Sequence, residues 1–387
     1  MIDFGPPSIS TAEEKAVLEV LRSRWLVSGE RVEAFEQQIA ALVGCKAYAT
    51  SSATMAFQAL LLAIGVGPGW KVCFPAITFS GMPMQAFILG ATVQFVDIDE
   101  DGFMVIPPDW RSGPKQIVVP THLAGGIGSV ARIRAQSHPS LVIEDCAHLY
   151  PGFRSRTYVA GACADSDYSI FSFYPTKCVA TCEGGAITTA RDLPLMSTRL
   201  HGFDRDANYR HRATGGPAGY DVVRPGTKAS MSDIAAAVAH VQLRRQSELQ
   251  ERRRIAASWY IDRLSASPIQ VLHQEDRAAN QHAEHLMVLR FTSRAARDSA
   301  ATRLRETMIA SSLHFQALQT LTFWRHHISE GKVEVFGDLH NSISYSQCCL
   351  SVPLFPDITK AEVDRVCDVL LESSAEQIVT PGILMPG

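Results

Sequence analysis

The feature that most constrains the fold is an alternation of short apolar runs with helical stretches between residues 71 and 190. Short apolar runs bounded by turn residues are typical of buried strands. Strands that alternate with helices favour an α/β domain with a mainly parallel sheet. Six strands are predicted, at residues 71–74, 92–96, 116–119, 141–143, 168–173 and 186–189.

The flanking segments predict helices before the sheet and a smaller domain after it. A first helix over residues 11–22 is predicted to open on a capping box of Thr11 and Glu14. A long helix from Met231 to about Arg254 is expected to act as a hinge. The chain of 387 residues is long enough for two cores. We expect a large domain over residues 1–250 and a smaller α+β domain over residues 251–387.

Composition excludes several classes of function. A net charge of −3 argues against binding to nucleic acid or to a membrane surface. No apolar run approaches the roughly 20 residues of a membrane span, and no signal peptide is recognisable. Nine cysteines without a Cys-x-x-Cys pair indicate reduced thiols in a cytoplasm, and the thirteen histidines show no metal-ligand spacing. We expect a cytoplasmic protein with no metal.

One candidate functional stretch contains Lys177. An aromatic, strand-like run is broken by Pro175, so Lys177 is expected on a loop just beyond a buried strand. The following Gly184 and Gly185 free the backbone before the next strand. A lysine held among aromatic side chains is partly desolvated, which lowers its pKa and makes its amine able to form a Schiff base. An ordinary surface lysine on a turn fits the stretch equally well.

A second candidate is Asp145, which ends the apolar run over residues 141–143. Open α/β sheets bind ligands at the carboxyl ends of their strands. A buried carboxylate there requires a cationic partner, and a protonated pyridine nitrogen would serve. The alternative is a core strand that ends in a solvated aspartate.

A third candidate is the hydroxyl-rich segment that precedes the helix predicted from Met55 to Gly65. Free backbone N–H groups and the helix dipole make such a helix start an anion site. The alternative is a plain N-cap. The segment reads Thr50-Ser51-Ser52-Ala53-Thr54.

Lysine, aspartate and an anion cradle together are what pyridoxal 5′-phosphate (PLP) requires. In this order they resemble the sugar aminotransferase family of the DegT/DnrJ/StrS type, over essentially the whole chain. Besides the lysine and aspartate stretches, the motifs that carry the resemblance are Pro75-Ala76-Ile77-Thr78-Phe79, Val96-Asp97-Ile98-Asp99 and Pro120-Thr121-His122-Leu123-Ala124-Gly125.

The resemblance implies a fold of the PLP-dependent transferase type I and a role for each matching residue. Lys177 would form the Schiff base with PLP and then move the proton between cofactor and substrate. Asp145 would keep the pyridine nitrogen protonated. Phe79 would stack on the ring and His148 would lie near it. The phosphate would be held by Ser52, Ala53, Thr54 and Ser172.

Two positions depart from the family pattern. The usual glycine of the phosphate-binding motif is Ala53, which still supplies an N–H group. The family's G-Y-N-Y-R-M segment lacks its tyrosine and arginine, and Lys228 stands at the asparagine position. A lysine at that position in some members reaches the cofactor phosphate of the partner subunit. The resemblance therefore implies a homodimer with shared active sites.

The resemblance implies transfer of an amino group from glutamate or glutamine to a keto sugar, which is expected to be nucleotide-linked. A keto-cyclitol or related antibiotic precursor is an alternative substrate. A catalytically silent paralogue that binds ligand is a hypothesis of another class, which the intact Lys177 and Asp145 disfavour.

Overall fold

The computed structural model describes residues 1–205 and 219–378, and its centre is an eight-stranded sheet. In chain order its strands are β1 (Lys46–Thr50), β2 (Lys71–Pro75), β3 (Thr92–Val96), β4 (Gln116–Val118), β5 (Leu141–Asp145), β6 (Tyr168–Ser172), β7 (Gly185–Thr189) and β10 (Val333–Val335). The spatial order is β1-β7-β6-β5-β4-β2-β3-β10. Only β7 runs antiparallel to its neighbours.

The sheet confirms the predicted α/β class and all six predicted strands. Two of its strands were missed, β1 and β10. Because β4, β5 and β6 are parallel neighbours, the residues that follow them meet at one edge of the sheet. Asp145 ends β5, and the loop with Lys177 follows β6.

Helices cover both faces of the sheet and continue into the C-terminal part. Those of the N-terminal part are α1 (Thr11–Ser23), α2 (Glu30–Val43), α3 (Ala53–Ile64), α4 (Gly81–Ile88), α5 (Val130–Ser137), α6 (Leu195–Thr198) and α7 (Asp233–Arg244). Those that follow are α8 (Gln246–Leu264), α9 (Gln274–Ala278), α10 (Arg294–Glu306), a 3₁₀ turn (Leu318–Thr320), α11 (Thr322–Ser329), α12 (His340–Cys348) and α13 (Lys360–Ile378).

Two helix predictions were wrong in detail. The capping box of α1 is formed by Ser10 and Glu13, one residue before the predicted pair, and Glu13 is held there by Arg245 at 2.7 Å. The long helix predicted from Met231 is two helices, α7 and α8, which meet at Arg245. Both differences involve Arg245, whose side chain donates to the Glu13 carboxylate in the first turn of α1.

A second, three-stranded sheet lies in the C-terminal part of the chain. Its antiparallel strands β8 (Gln270–Val271), β9 (Met287–Arg290) and β11 (Cys349–Val352) pack with α8, α10 and α13 in a separate apolar core. This confirms the predicted smaller α+β unit. Ile2 joins this core, whereas β10 and Trp324 return to the large one. Residues 379–387 of the predicted C-terminal domain lie outside the described residues.

The helices were compared with what a membrane-spanning helix requires in length and apolar character. Within the described residues, none of the helices combines the length and the apolar character that crossing a bilayer requires.

Candidate active site

A cavity of about 570 Å³ opens at the carboxyl edge of the large sheet. It lies between the end of β5, the loop after β6, the start of α3 and a segment of the C-terminal part. Eight of the nine predicted site residues line it, namely Ser52, Ala53, Thr54, Phe79, Asp145, His148, Ser172 and Lys177. The structure thus brings them together, while their individual roles stay predictions.

Lys177 lies on the predicted loop after β6. The loop closes on itself through two backbone bonds of Phe173, which donates to Gly184 and accepts from Thr181, each at 2.8 Å. Arg253 of α8 donates to the Lys177 carbonyl oxygen at 3.4 Å. Burial lowers the pKa of the Lys177 amine to about 8, although the charge of Asp145 opposes the shift. The lower pKa enlarges the neutral fraction of the amine near physiological pH, as suits a group that must act as nucleophile and base.

Asp145 is a buried carboxyl that faces the same cavity. Burial raises its pKa, while the N–H of Ala147, which donates to Oδ1 at 3.0 Å, and the Lys177 charge act in the opposite direction. The backbone around it is fixed, because its N–H donates to Pro120 and its carbonyl accepts from His122. A carboxyl placed in this way would be stabilised in its charged form by a cation.

The start of α3 supplies backbone donors at another wall of the cavity. Ser52 is the N-cap and its hydroxyl accepts from the N–H of Met55 at 3.1 Å. The N–H groups of Ala53 and Thr54 belong to the first helical turn, where the helix offers no internal acceptor. Gly185 packs so closely on this peptide that a Cβ atom would lie 2.5 Å from the Ala53 nitrogen. The helix start therefore remains available for an anion.

Aromatic rings form the sides of the cavity. Phe79 is 62% exposed, an unusual fraction for phenylalanine, and lies 6.1 Å from the ring of Phe315. His148 stacks on Phe315 at 5.7 Å, and its Nδ1 accepts from the N–H of Ala124 at 3.0 Å. Burial, with the nearby Lys177 charge, holds the pKa of His148 well below its ordinary value. His148 is therefore a neutral acceptor at this position.

Lys228 is the predicted site residue that the cavity of this chain does not include. Its Nζ donates to the hydroxyl of Ser230 at 2.8 Å. The segment that carries it is anchored next to the cradle, because Ala229 accepts from the N–H of Ser51 at 2.7 Å. Lys228 is thus an exposed residue on a segment bonded next to the start of α3, and it does not line the cavity of its own chain.

Several site residues come from the C-terminal part and were missed by sequence reasoning. His314 and Phe315 line the cavity. His285, which precedes β9, places its Nε2 at 3.5 Å from the Lys177 amine. No local pattern around these residues signals a site, because each reaches the cavity through contacts that are remote in sequence.

A buried network fixes the far side of the strand that carries Asp145. Glu144 accepts hydrogen bonds from His122, at 3.0 Å, and from Tyr158. Burial alone would raise the pKa of Glu144, but the hydrogen bond from His122 holds it below its ordinary value. Since the N–H of Gly128 donates to His122 Nδ1 at 3.2 Å, Nε2 carries the proton that Glu144 accepts.

These groups match the functional parts of PLP one by one. The helix start and Ser172 suit a phosphate, the Asp145 carboxyl suits a protonated ring nitrogen, Phe79 suits the face of a ring, and the Lys177 amine suits an aldehyde. Gly185 keeps the anion cradle open where a side chain would fill it. Fold and site together define a PLP-dependent enzyme of fold type I.

The chain belongs to the DegT/DnrJ/EryC1/StrS aminotransferase family, whose sequence profile matches residues 7–371. The resemblance inferred from the motifs is therefore confirmed, and so is the assignment as a PLP-dependent aminotransferase.

Three solved structures are similar to this chain over nearly its full length. Spr1654 of Streptococcus pneumoniae, assigned as a sugar aminotransferase and solved in its PLP form, is 25% identical with a TM-score of 0.82, over 98% of this chain and 100% of that one. DesV of S. venezuelae is 25% identical with a TM-score of 0.77, over 94% of each chain. DesI, solved with its TDP-sugar product, is 25% identical with a TM-score of 0.79, over 97% of this chain and 94% of that one.

Proposed function

We propose that this aminotransferase moves an amino group from glutamate or glutamine to a nucleotide-linked keto sugar, of the 4-keto hexose type. The observation that carries the proposal is the convergence of Lys177, Asp145 and the start of α3 on one cavity. Similarity to DesI, which was solved with a TDP-sugar product, supports a nucleotide-linked sugar as substrate.

Each residue has a distinct task in this proposal. When bound, PLP supplies an electron sink for the carbanion that forms next to the transferred nitrogen. The Asp145 carboxylate holds a proton on the pyridine nitrogen, since a buried carboxylate is stabilised by the charge it faces. The Lys177 amine, in its neutral form, takes a proton from the substrate carbon and later returns it.

The remaining residues bind and orient. The N–H groups of Ala53 and Thr54 and the hydroxyls of Ser52 and Ser172 would hold the phosphate. Phe79 would pack on one face of the ring. His148 would contribute a neutral imidazole near the ring, because burial keeps its pKa low.

We also propose a homodimer in which Lys228 of each subunit supplements the phosphate cradle of the other. Lys228 is exposed and lies on a segment bonded to the residue before the cradle, through Ser51. A lysine at this position reaches the partner's cofactor in some members that the sequence resembles. A two-fold dimer would give both sites the same contact.

Two broader assignments complete the proposal. The chain divides into a large domain over residues 1–250 and a small one over residues 251–387, with α7 packed in the large core and α8 in the small one. The nine cysteines are all free thiols in the structure, which supports a cytoplasmic location.

The first test asks whether PLP is bound covalently to Lys177. The purified protein loaded with PLP should absorb in the visible range, and borohydride should fix the cofactor to Lys177. Peptide mapping locates the adduct, and Lys177→Ala serves as the control that should lose it. An adduct on Lys46 or Lys228 would refute the assignment of the catalytic lysine.

The second test addresses the substrate. Glutamate and glutamine should each be tried as donor, with conversion to the pyridoxamine form followed by absorbance. That form is then offered a panel of keto sugars with and without a nucleotide, together with keto-cyclitols. Return of the PLP spectrum only with cyclitols would replace the nucleotide sugar by the alternative substrate class.

A further inference from the structure

The Lys177 amine is surrounded by three histidine rings, of which His285 makes the nitrogen-to-nitrogen contact. His285 Nε2 lies 3.5 Å from Lys177 Nζ. His148 lies 4.5 Å from the His285 ring, centre to centre, and its own Nδ1 is engaged by Ala124. His314 is bonded through Nδ1 to the hydroxyl of Ser351 at 2.9 Å. His285 is therefore the ring placed to act on the amine directly.

The position of His285 is fixed by its neighbours in the chain. Ala283 donates to the carbonyl of Gly125 at 2.8 Å, and Leu286 donates to that of Ala124 at 3.0 Å. These two bonds dock the segment that carries His285 on the loop that also holds His148. The backbone of His285 is therefore fixed by hydrogen bonds of the residues on either side of it.

A buried ion pair reinforces this segment. Arg277 of α9 pairs with Glu284, the residue before His285, and both side chains are almost completely buried. The same guanidinium donates to the carbonyls of Leu272 at 3.0 Å and Leu286 at 2.7 Å. Breaking a buried pair of this kind is costly, so the segment is held rigidly.

The environment of Nδ1 indicates which nitrogen of His285 can accept a hydrogen bond. Nδ1 is buried and has no hydrogen-bond partner within the described part of the chain. Burial, followed by the Lys177 charge, holds the pKa of His285 well below its ordinary value. A neutral imidazole beside an ammonium group carries its own proton on Nδ1 and accepts through Nε2.

Three further ionisable groups lie close to Lys177. Asp145, at the end of β5, and Cys178, next to Lys177 in the chain, interact electrostatically with the amine and raise its pKa. Arg253 of α8 donates a hydrogen bond to the Lys177 carbonyl oxygen. Asp145 is the group assigned to the ring nitrogen. His285 is the neutral group whose nitrogen lies within hydrogen-bond reach of Nζ when the amine gains a proton.

We propose that His285 is a catalytic residue whose Nε2 accepts a hydrogen bond from Lys177 Nζ while that amine carries the proton it moves. The proton comes from the substrate carbon and is later returned, and no electrons are exchanged with His285. The hydrogen bond stabilises the transient ammonium and orients it. This inference rests on the role proposed for Lys177.

The test measures the protonation of Lys177 directly. The protein is loaded with pyridoxamine 5′-phosphate, which leaves Lys177 unbonded, and labelled with acetic anhydride across a pH series. Mass spectrometry gives the pH at which half of Lys177 reacts. In His285→Ala this midpoint should fall by about one pH unit, because a hydrogen bond to a charged group is lost. Transamination near pH 7 should fall about tenfold.

Rescue and control variants separate this role from simple packing. His285→Gln places an amide oxygen near the Nε2 position and should restore most of the midpoint. His314→Asn removes another ring of the same cavity and should leave the midpoint in place, whatever its effect on rate. If the alanine variant does not fold, His285→Asn replaces it, because its amide ends near the Nδ1 position.

The outcomes are distinct. A midpoint that stays unchanged or rises in the loss variant, with borohydride still fixing PLP to Lys177, overturns the inference and leaves the proposed function intact. Failure to find the adduct on Lys177 in the unmodified protein would instead overturn the proposed function.

Discussion

A Cβ atom added to Gly185 would lie 2.5 Å from the backbone nitrogen of Ala53. Gly185 is the first residue of β7 and pairs with Thr50 of β1 on one side and Ser172 of β6 on the other. The sheet therefore abuts the first turn of α3 through a residue without a side chain. Any larger residue must displace backbone, since neither partner is the end of a flexible chain.

The first prediction concerns this contact. Gly185→Ala should shift the start of α3 and raise the dissociation constant of PLP about tenfold or more, because overpacking costs about 1–3 kcal/mol. Fluorescence or absorbance titration of the cofactor-free protein measures the change. Gly113→Ala is the matched control, since its Cβ would meet no heavy atom within 4 Å. Equal PLP affinity in the two variants would contradict the prediction.

The sequence was sufficient for much of the fold because the central strands carry continuous apolar runs. The strand β1 was missed because Lys46-Ala47-Tyr48-Ala49-Thr50 has little of the β-branched composition that signals a strand. The strand β10 has three residues and exists through its pairing with β3. The break between α7 and α8 was missed because residues 231–254 contain no glycine or proline that would end a helix.

The site residues also fall into those that the sequence predicted and those that it did not. Asp145 and Lys177 follow local patterns, a strand end and an aromatic strand broken by proline, and could be found from them. His285 and His314 lie in segments that carry no such pattern, so only tertiary contacts bring them to the cavity. A single histidine beside a predicted strand is as consistent with a core position as with a site. Lys228 was identified through family resemblance, and the role proposed for it depends on a second subunit.

The second prediction concerns Asp145. Asp145→Asn should retain PLP but reduce transamination about a hundredfold or more, because the ring nitrogen loses the charge that keeps it protonated. The rate of the half-reaction with the amino donor measures this, and the borohydride adduct on Lys177 confirms that the cofactor is still bound. Turnover close to that of the unmodified protein would refute the role of Asp145.

The third prediction concerns pH and the cofactor-free protein. Burial lowers the pKa of Lys177 from 10.5 to about 8, so the unfolded chain binds more protons between these values. The unfolding free energy should therefore rise with pH from about 8 to 10.5, by up to about 3 kcal/mol from this residue. Below pH 8 the buried Lys177 amine is charged, so its desolvation lowers the unfolding free energy by the full amount.

Denaturant unfolding at several pH values, with and without Lys177→Met, isolates this contribution. The variant should be more stable than the unmodified protein below pH 8, and the difference should shrink as the pH approaches 10.5. A difference that is constant across the series would show that Lys177 is not desolvated in the folded chain.

The last prediction concerns Lys228 and the dimer. A phosphate dianion is held better when a cation supplements neutral N–H donors. Lys228 does not line the cavity of its own chain, and its Nζ donates to the Ser230 hydroxyl at 2.8 Å. Lys228→Ala should therefore weaken PLP retention about tenfold without lowering the unfolding free energy, as dialysis and denaturant unfolding can measure. Lys71→Ala, which removes an exposed lysine paired with Glu334, is the matched control.

Mixing a Lys177→Ala subunit with a Lys228→Ala subunit, at a PLP concentration too low to load the Lys228→Ala dimer, tests whether the site is shared. When Lys177→Ala and Lys228→Ala subunits form a heterodimer, one active site carries both defects and the other carries neither, because Lys228 acts across the interface. Activity should return to about half of that of an unmodified dimer for each heterodimer formed. If Lys228 served its own subunit, each site would keep one defect and no activity would return. A fully active monomer in solution would likewise refute the shared site.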